Sequence, residues 1–322
     1  MIAPILDEMI STRKAFGDAL LNLVQEGYDI IGISADTSKS MGMDLLAKEF
    51  PERWVDTGVA EQNMLLVAAG LASTGKIVFA ASYSVFTSMR ALEQLRTFIA
   101  YPKLNVKVVA GLGGFSAGIE GVTHVAMEDL GIVRSIPNIS LIVPSDAIAT
   151  QLATRAAAKW NGPVYMRIGR DASPVLFNDK YTFEIGKANI LKTDGNDLAI
   201  LVNGLLLYEA IKAMPLLENE GIEATLIEVH TLKPLDDATI LNSAKDCGAI
   251  VTVEEHNIIG GLGSAVAEFL GRNYPIPIEM VASPDIFTES DTPENLKLNY
   301  GLTTESILQA ARRAMRRKKT EK

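Results

Sequence analysis

Residues 56–73 read Asp-Thr-Gly-Val-Ala-Glu-Gln-Asn-Met-Leu-Leu-Val-Ala-Ala-Gly-Leu-Ala-Ser, and they set one carboxylate, Glu61, at the head of an otherwise apolar, small-residue helix. Burying an unpaired charge is costly. Glu61 should therefore be ion-paired, hydrogen-bonded or protonated at neutral pH, which is the behaviour of an acid-base group. A carboxylate in a first turn can also be a simple cap that complements the helix dipole, and position alone leaves both readings open.

Outward from this helix, short apolar runs alternate with longer helical patterns, which points to α/β architecture with mainly parallel strands. Upstream, 12–26 is expected as a helix and 30–34 as a strand. Downstream follow strand 77–81, helix 84–100 with apolar residues at Val85, Met89, Leu92, Leu95 and Phe98 or Ile99, and strand 106–110. A Gly-rich loop with Gly111, Gly113, Gly114, Gly118 and Gly121 comes next, and its length marks it as functional. Helix 127–134, strand 140–143, helix 146–160 behind an Asp N-cap and strand 164–168 complete the first half. Between 170 and 182 the pattern lapses into Asp, Ser, Pro, Asn and Lys, and a domain linker is placed there. The second half restarts at 198–202 and continues through 205–219, 223–228, 249–254, 263–271 and 276–280, again strand, helix, strand. The fold expected is two α/β domains, residues 1–178 and 179–322, without a tandem repeat.

Composition agrees with two ordinary cores: 322 residues, 48% apolar and 21% charged. A net charge of −9 argues against a nucleic-acid surface. The basic run Arg312-Arg313-Ala314-Met315-Arg316-Arg317-Lys318-Lys319 is read as a solvated helix end. The single Cys247 excludes an internal disulfide and is expected as a small core residue. Of the three histidines, His230 and His256 lie too far apart, without neighbouring ligands, to suggest a metal site. Gly260-Gly261-Leu262-Gly263 approaches a dinucleotide fingerprint, but Val266 stands where the third glycine belongs. With neither a signal-peptide pattern nor a bilayer-length apolar run, a cytoplasmic location is expected.

Gly58-Val59-Ala60-Glu61-Gln62-Asn63 resembles the segment that carries the glutamate of thiamine-diphosphate enzymes, in the pyrimidine-binding domain of transketolases. Ser34-Ala35-Asp36-Thr37-Ser38-Lys39-Ser40, Glu120-Gly121-Val122-Thr123-His124, Pro163-Val164-Tyr165-Met166-Arg167 and Val253-Glu254-Glu255-His256-Asn257, continuing to Gly263, also resemble transketolase landmarks, in the family's order. The resemblance spans about residues 11–314. It implies that Glu61 binds the cofactor's pyrimidine and helps deprotonate its reactive carbon, that Tyr83, Phe86 and Met89 wall that ring, and that Asp36 lies near the cofactor. Met89 stands where the family commonly has an aromatic residue. His124 would face the reacting sugar carbons as an acid-base or electrophilic group. Ser40 and Arg167 would hold a terminal phosphate, with Arg170 as a further candidate.

Two departures bear on specificity. Glu120 replaces the family's usual aspartate, and Leu112 or its neighbours replace a histidine. The family's diphosphate-binding domain, with its magnesium ligands, has no counterpart here. The run Thr193-Asp194-Gly195-Asn196-Asp197 reads as a turn. The resemblance therefore implies the C-terminal subunit of a split transketolase, with no metal ligands of its own. It would share thiamine diphosphate with a separate N-terminal subunit that binds Mg2+ or a similar divalent ion, and it would form a homodimer within an α2β2 heterotetramer. A decarboxylating thiamine enzyme, either deoxyxylulose-phosphate synthase-like or 2-oxoacid dehydrogenase β-subunit-like, and a non-catalytic paralogue are the alternatives.

Overall fold

A computed structural model describes residues 2–193 and 195–320; Met1, Asp194 and the last two residues, and with Asp194 the centre of the 193–197 turn, lie outside the described residues. Among the described residues the strands are β1 (Ile2–Ser11), β2 (Ile30–Ser34), β3 (Trp54–Asp56), β4 (Ile77–Tyr83), β5 (Val106–Gly111), β6 (Ser140–Ile142), β7 (Val164–Arg167), β8 (Ala172–Phe177), β9 (Asn189–Lys192), β10 (Leu198–Val202), β11 (Ala224–Glu228), β12 (Thr231–Lys233), β13 (Ile250–Asn257) and β14 (Ile278–Ser283).

The first sheet runs β12-β6-β7-β5-β4-β2-β3, and all its strands are parallel except β12, which is antiparallel to β6. The second runs β14-β13-β10-β11-β9, parallel except for β9. Every residue of β5, Val-Lys-Val-Val-Ala-Gly, is buried, as expected for a central parallel strand covered on both faces. The α/β architecture expected from the alternating pattern is what the chain adopts.

Helices Thr12–Gln25, Glu61–Ser73 and Ala147–Lys159 form where the apolar periodicity placed them. Ser11 and Asp146 cap the first and third through their side chains. The stretch 84–100 departs from a regular helix, because Phe86–Arg90 and Leu95–Ala100 are wide π-type turns around a short α-helical piece, Leu92–Gln94. Such turns recur at functional sites. The Gly-rich loop is also less irregular than its composition suggests, since Phe115–Glu120 is a 3-10 helix with Phe115, Ser116 and Ala117 buried.

The stretch expected to be an irregular linker carries β8, which pairs antiparallel with β1. Neither strand shows clean alternation, so their pairing is a tertiary outcome. The chain also returns: β12, reached only after the second sheet has begun, closes an edge of the first sheet. One continuous apolar cluster joins Ile33, Val78, Val108 and Leu141 of the first sheet to Ala199, Leu201, Ile227 and Ile250 of the second. Cys247 is buried in it, as expected. Among the described residues no helix is long and apolar enough to cross a membrane.

Candidate active site

The parallel register sets the ends of β2, β4, β5 and β7 side by side: Ser34 pairs with Ala81, Tyr83 with Gly111, and Ala110 with Arg167. Loops leaving the carboxyl ends of parallel strands are where α/β proteins build sites. The sequence-predicted residues gather along this edge.

Glu61 is the first residue of helix Glu61–Ser73 and is 1% exposed. Its carboxylate accepts from Ser82 Oγ at 3.3 Å and from Arg90 Nη1 at 2.7 Å. No side chain caps the helix, and the carboxylate's hydrogen bonds come from β4 and the following turn rather than from the helix's own N–H groups. Of the two readings left open, a mere cap is the one this geometry disfavours. Phe86 and Tyr83 stack at 5.9 Å between ring centroids, and His124 meets Phe86 edge-on at 5.3 Å. Tyr83 OH donates to Ser40 Oγ at 3.2 Å. Glu61, Arg90, Phe86, Tyr83, His124 and Ser40 thus form one connected group. Met89 lies exposed one turn beyond Phe86.

The loops around this group are tied by Asp56. Its carboxylate accepts from Ser34 Oγ at 2.6 Å, from the Asp36 N–H at 3.0 Å and from the Gly58 N–H at 2.8 Å. Asp36 itself has a positive φ of 58° and an exposed side chain. Its backbone is held by Asp56, and its side chain faces solvent. His124 Nδ1 lies 2.9 Å from Thr123 Oγ1.

Arg167 is not brought to the ring wall. It is 5% exposed, its guanidinium donates to Glu255 O at 2.7 Å and Ala126 O at 3.0 Å, and its Nε lies 3.2 Å from Asp129 Oδ2, an ion pair without hydrogen-bond geometry. Burial pushes the Asp129 carboxyl up against the opposing charge of Arg167. Gly113 must be glycine because a Cβ there would lie 2.3 Å from Arg167 Nε. In this structure the Arg167 guanidinium is a buried tie between the two halves of the chain. Three residues on, Arg170 keeps its side chain 38% exposed and pairs with Glu120. Leu112, at the start of the same loop as Glu120, has φ 56° and is buried in the core.

Arg90 and Asp56 were missed from sequence. Asp56 begins the 56–73 stretch, and its signal was the Asp-x-Gly spacing of a side chain that binds backbone two residues on. Arg90 had none, because its partner lies 29 residues earlier.

A buried carboxylate beside a flat aromatic wall has the donor set for a protonatable pyrimidine ring, so the residues present fit that half of thiamine diphosphate. Among the described residues no group of three or more His, Cys, Asp or Glu side chains could hold a metal ion.

Comparison with known proteins agrees over nearly the full chain. The transketolase pyrimidine-binding domain matches residues 8–175 and the transketolase C-terminal domain residues 186–307. The 6-deoxy-6-sulfo-D-fructose transketolase subunit SqwH of a Clostridium species is 39% identical, over 95% of this chain and 95% of its own length. One of the apulose-4-phosphate transketolase subunits of Phocaeicola vulgatus is 37% identical, over 95% of this chain and 97% of its own length. A solved structure described as a split-gene transketolase, an inactive β4 tetramer, superposes with a TM-score of 0.90 at 45% identity, over 96% of this chain and 99% of that one. With both family domains in the family's order and relatives matched end to end, this chain belongs to the transketolase family.

Proposed function

We propose that this chain is the C-terminal subunit of a split, thiamine-diphosphate-dependent transketolase, which moves a two-carbon ketol unit from a ketose with an anionic end to an aldose. The observation that carries the reading is Glu61, a carboxylate shut away from water and joined through Arg90 to the Phe86 ring, against which Tyr83 and His124 pack. When bound, thiamine diphosphate supplies the carbon nucleophile for cleaving the ketose between C2 and C3. Glu61 would hold the pyrimidine ring of that group through a shared proton, in surroundings closed to water. Phe86 and Tyr83 would supply the aromatic wall that orients it. Thr123 engages His124 Nδ1, which leaves Nε2 for a sugar oxygen that gains charge.

Arg170, turned outward beside Glu120, is the guanidinium available for the substrate's anionic end. Ser40 and Glu120 contribute hydroxyl and carboxylate contacts to the sugar. Two relatives are named for sugars that carry a sulfonate or a phosphate, which supports an anionic ketose here as well. The diphosphate and the divalent ion fall to a separate subunit, in an α2β2 assembly in the cytoplasm. That relatives are named as subunits, and that the β4 form of one solved relative is described as inactive, supports dependence on a partner.

The test is ketol transfer from a phosphorylated ketose, with thiamine diphosphate and magnesium, by this chain alone and mixed with a diphosphate-domain subunit. Activity is expected only in the mixture, and turnover by the chain alone would overturn the split. Glu61→Gln should still assemble but lose about 100-fold or more in kcat, the scale of a removed acid-base group. Undiminished turnover in that variant would remove Glu61 from the chemistry.

A further inference from the structure

The oxygen of Glu61 that Ser82 does not hold is already taken. Arg90 Nη1 donates to it at 2.7 Å, while the Arg90 guanidinium carbon sits 4.1 Å from the centre of the Phe86 ring. A guanidinium is flat, cationic and rich in N–H donors. It therefore satisfies the same two surfaces that a protonated aminopyrimidine would need, a carboxylate oxygen and an aromatic face. A guanidinium lying over the Phe86 ring while bonded to Glu61 fills the place a pyrimidine bonded to Glu61 and stacked on that ring would need, so the two compete there. Glu61 is 1% exposed whereas the Arg90 side chain is 46% exposed. The carboxylate is thus fixed, and its partner has a way out to solvent.

We propose that Arg90 is an internal place-holder for the cofactor's pyrimidine ring, and that cofactor binding at Glu61 is an exchange in which the guanidinium leaves. This rests on the thiamine reading of the site given above. The pair compensates the buried Glu61 charge before any ligand arrives, so the pocket keeps its shape without one. Part of the cofactor's binding energy then goes to breaking the pair, which lowers the observed affinity.

Calorimetric titration of thiamine diphosphate, with magnesium present, into the complex of the full chain with its diphosphate-domain subunit tests the exchange. Arg90→Gln should bind about tenfold more tightly than the unaltered complex, the scale set by a hydrogen bond between charged groups. The free Arg90→Gln chain should melt at a lower temperature than the unaltered chain, and the two saturated complexes should melt alike. Unchanged or weaker binding by Arg90→Gln overturns the place-holder. Should Arg90→Gln not fold, Arg90→Lys, which keeps the charge but loses the planar stack, should also bind more tightly, and equal or weaker binding there has the same negative meaning. Glu61→Gln separates the two ideas. If it retains turnover, the thiamine reading of the site fails. If it loses turnover while neither Arg90 variant binds more tightly, only the exchange fails.

Discussion

Glu228 shows how burial sets a charge state that residue type alone does not. Its side chain is fully buried, accepts from Tyr181 OH at 2.8 Å and Asn189 Nδ2 at 3.2 Å, and has its carboxyl pushed up to about 7 by burial. The unfolded chain ionises this group near 4.5, so the folded state binds the extra proton between about 4.5 and 7. Its stabilising effect is complete below the lower value and is lost as pH rises through the upper one, on the order of 3 kcal/mol in all. Urea midpoints at pH 5 and pH 7.5 should therefore fall more for the unaltered chain than for Glu228→Gln. Equal falls would mean that Glu228 is not the group responsible. The same dependence on surroundings separates Arg167 from Arg170. Arg167 ends β7 and Arg170 follows three residues later, and only the approach of Ala126, Asp129 and Glu255 makes the first a structural tie.

At the scale of elements, β5 was legible as a strand although a lysine stands in it. Lys107 is completely buried, and its Nζ donates to Trp160 O and Gly162 O at 2.6 Å each, closing the end of helix Ala147–Lys159. Burial pushes its pKa down to about 7. A neutral amine still has two N–H groups, one for each carbonyl. Above pH 7 the folded lysine is mostly neutral while the unfolded one stays charged to about 10.5, so the unfolded state binds more protons and stability rises with pH. The gain across that window is on the order of 4 kcal/mol, and it should vanish in Lys107→Met. Chemical denaturation at pH 7 and pH 9.5 checks this, and an undiminished rise in the variant would contradict it. By contrast, the wide turns at Phe86–Arg90 and Leu95–Ala100 were not legible, because a 3.6-residue apolar period survives an inserted residue with little change.

At the scale of the molecule, the two halves are bound together more closely than an exposed linker implies. β12 closes the first sheet, Arg167 is held by carbonyls from both halves, and the Glu255 carboxylate accepts the Phe115 N–H at 2.9 Å. His256 Nε2 accepts the Gly131 N–H at 3.2 Å, and burial holds that imidazole below its ordinary pKa. A core continuous across both sheets should melt as one unit. Calorimetry of the full chain is expected to give a single transition, with van't Hoff and calorimetric enthalpies in agreement. Two separable transitions would show that the halves fold independently.

By itself the sequence determined the α/β class, the positions of the long helices and central strands, and the segment in which Glu61 heads an apolar helix. Each of these is a short-range pattern of apolar period, cap and glycine that can be read within a few turns of chain. It also marked Tyr83, Phe86 and His124, which the parallel register then set on one edge. Only the tertiary structure decided that β8 pairs with β1, that β12 returns to the first sheet, that Arg167 is interior and Arg170 is not, and that Arg90 answers Glu61. Those outcomes join residues between 29 and more than 150 positions apart. Contacts at that range depend on which faces the packed sheets bring together, and no local pattern encodes them.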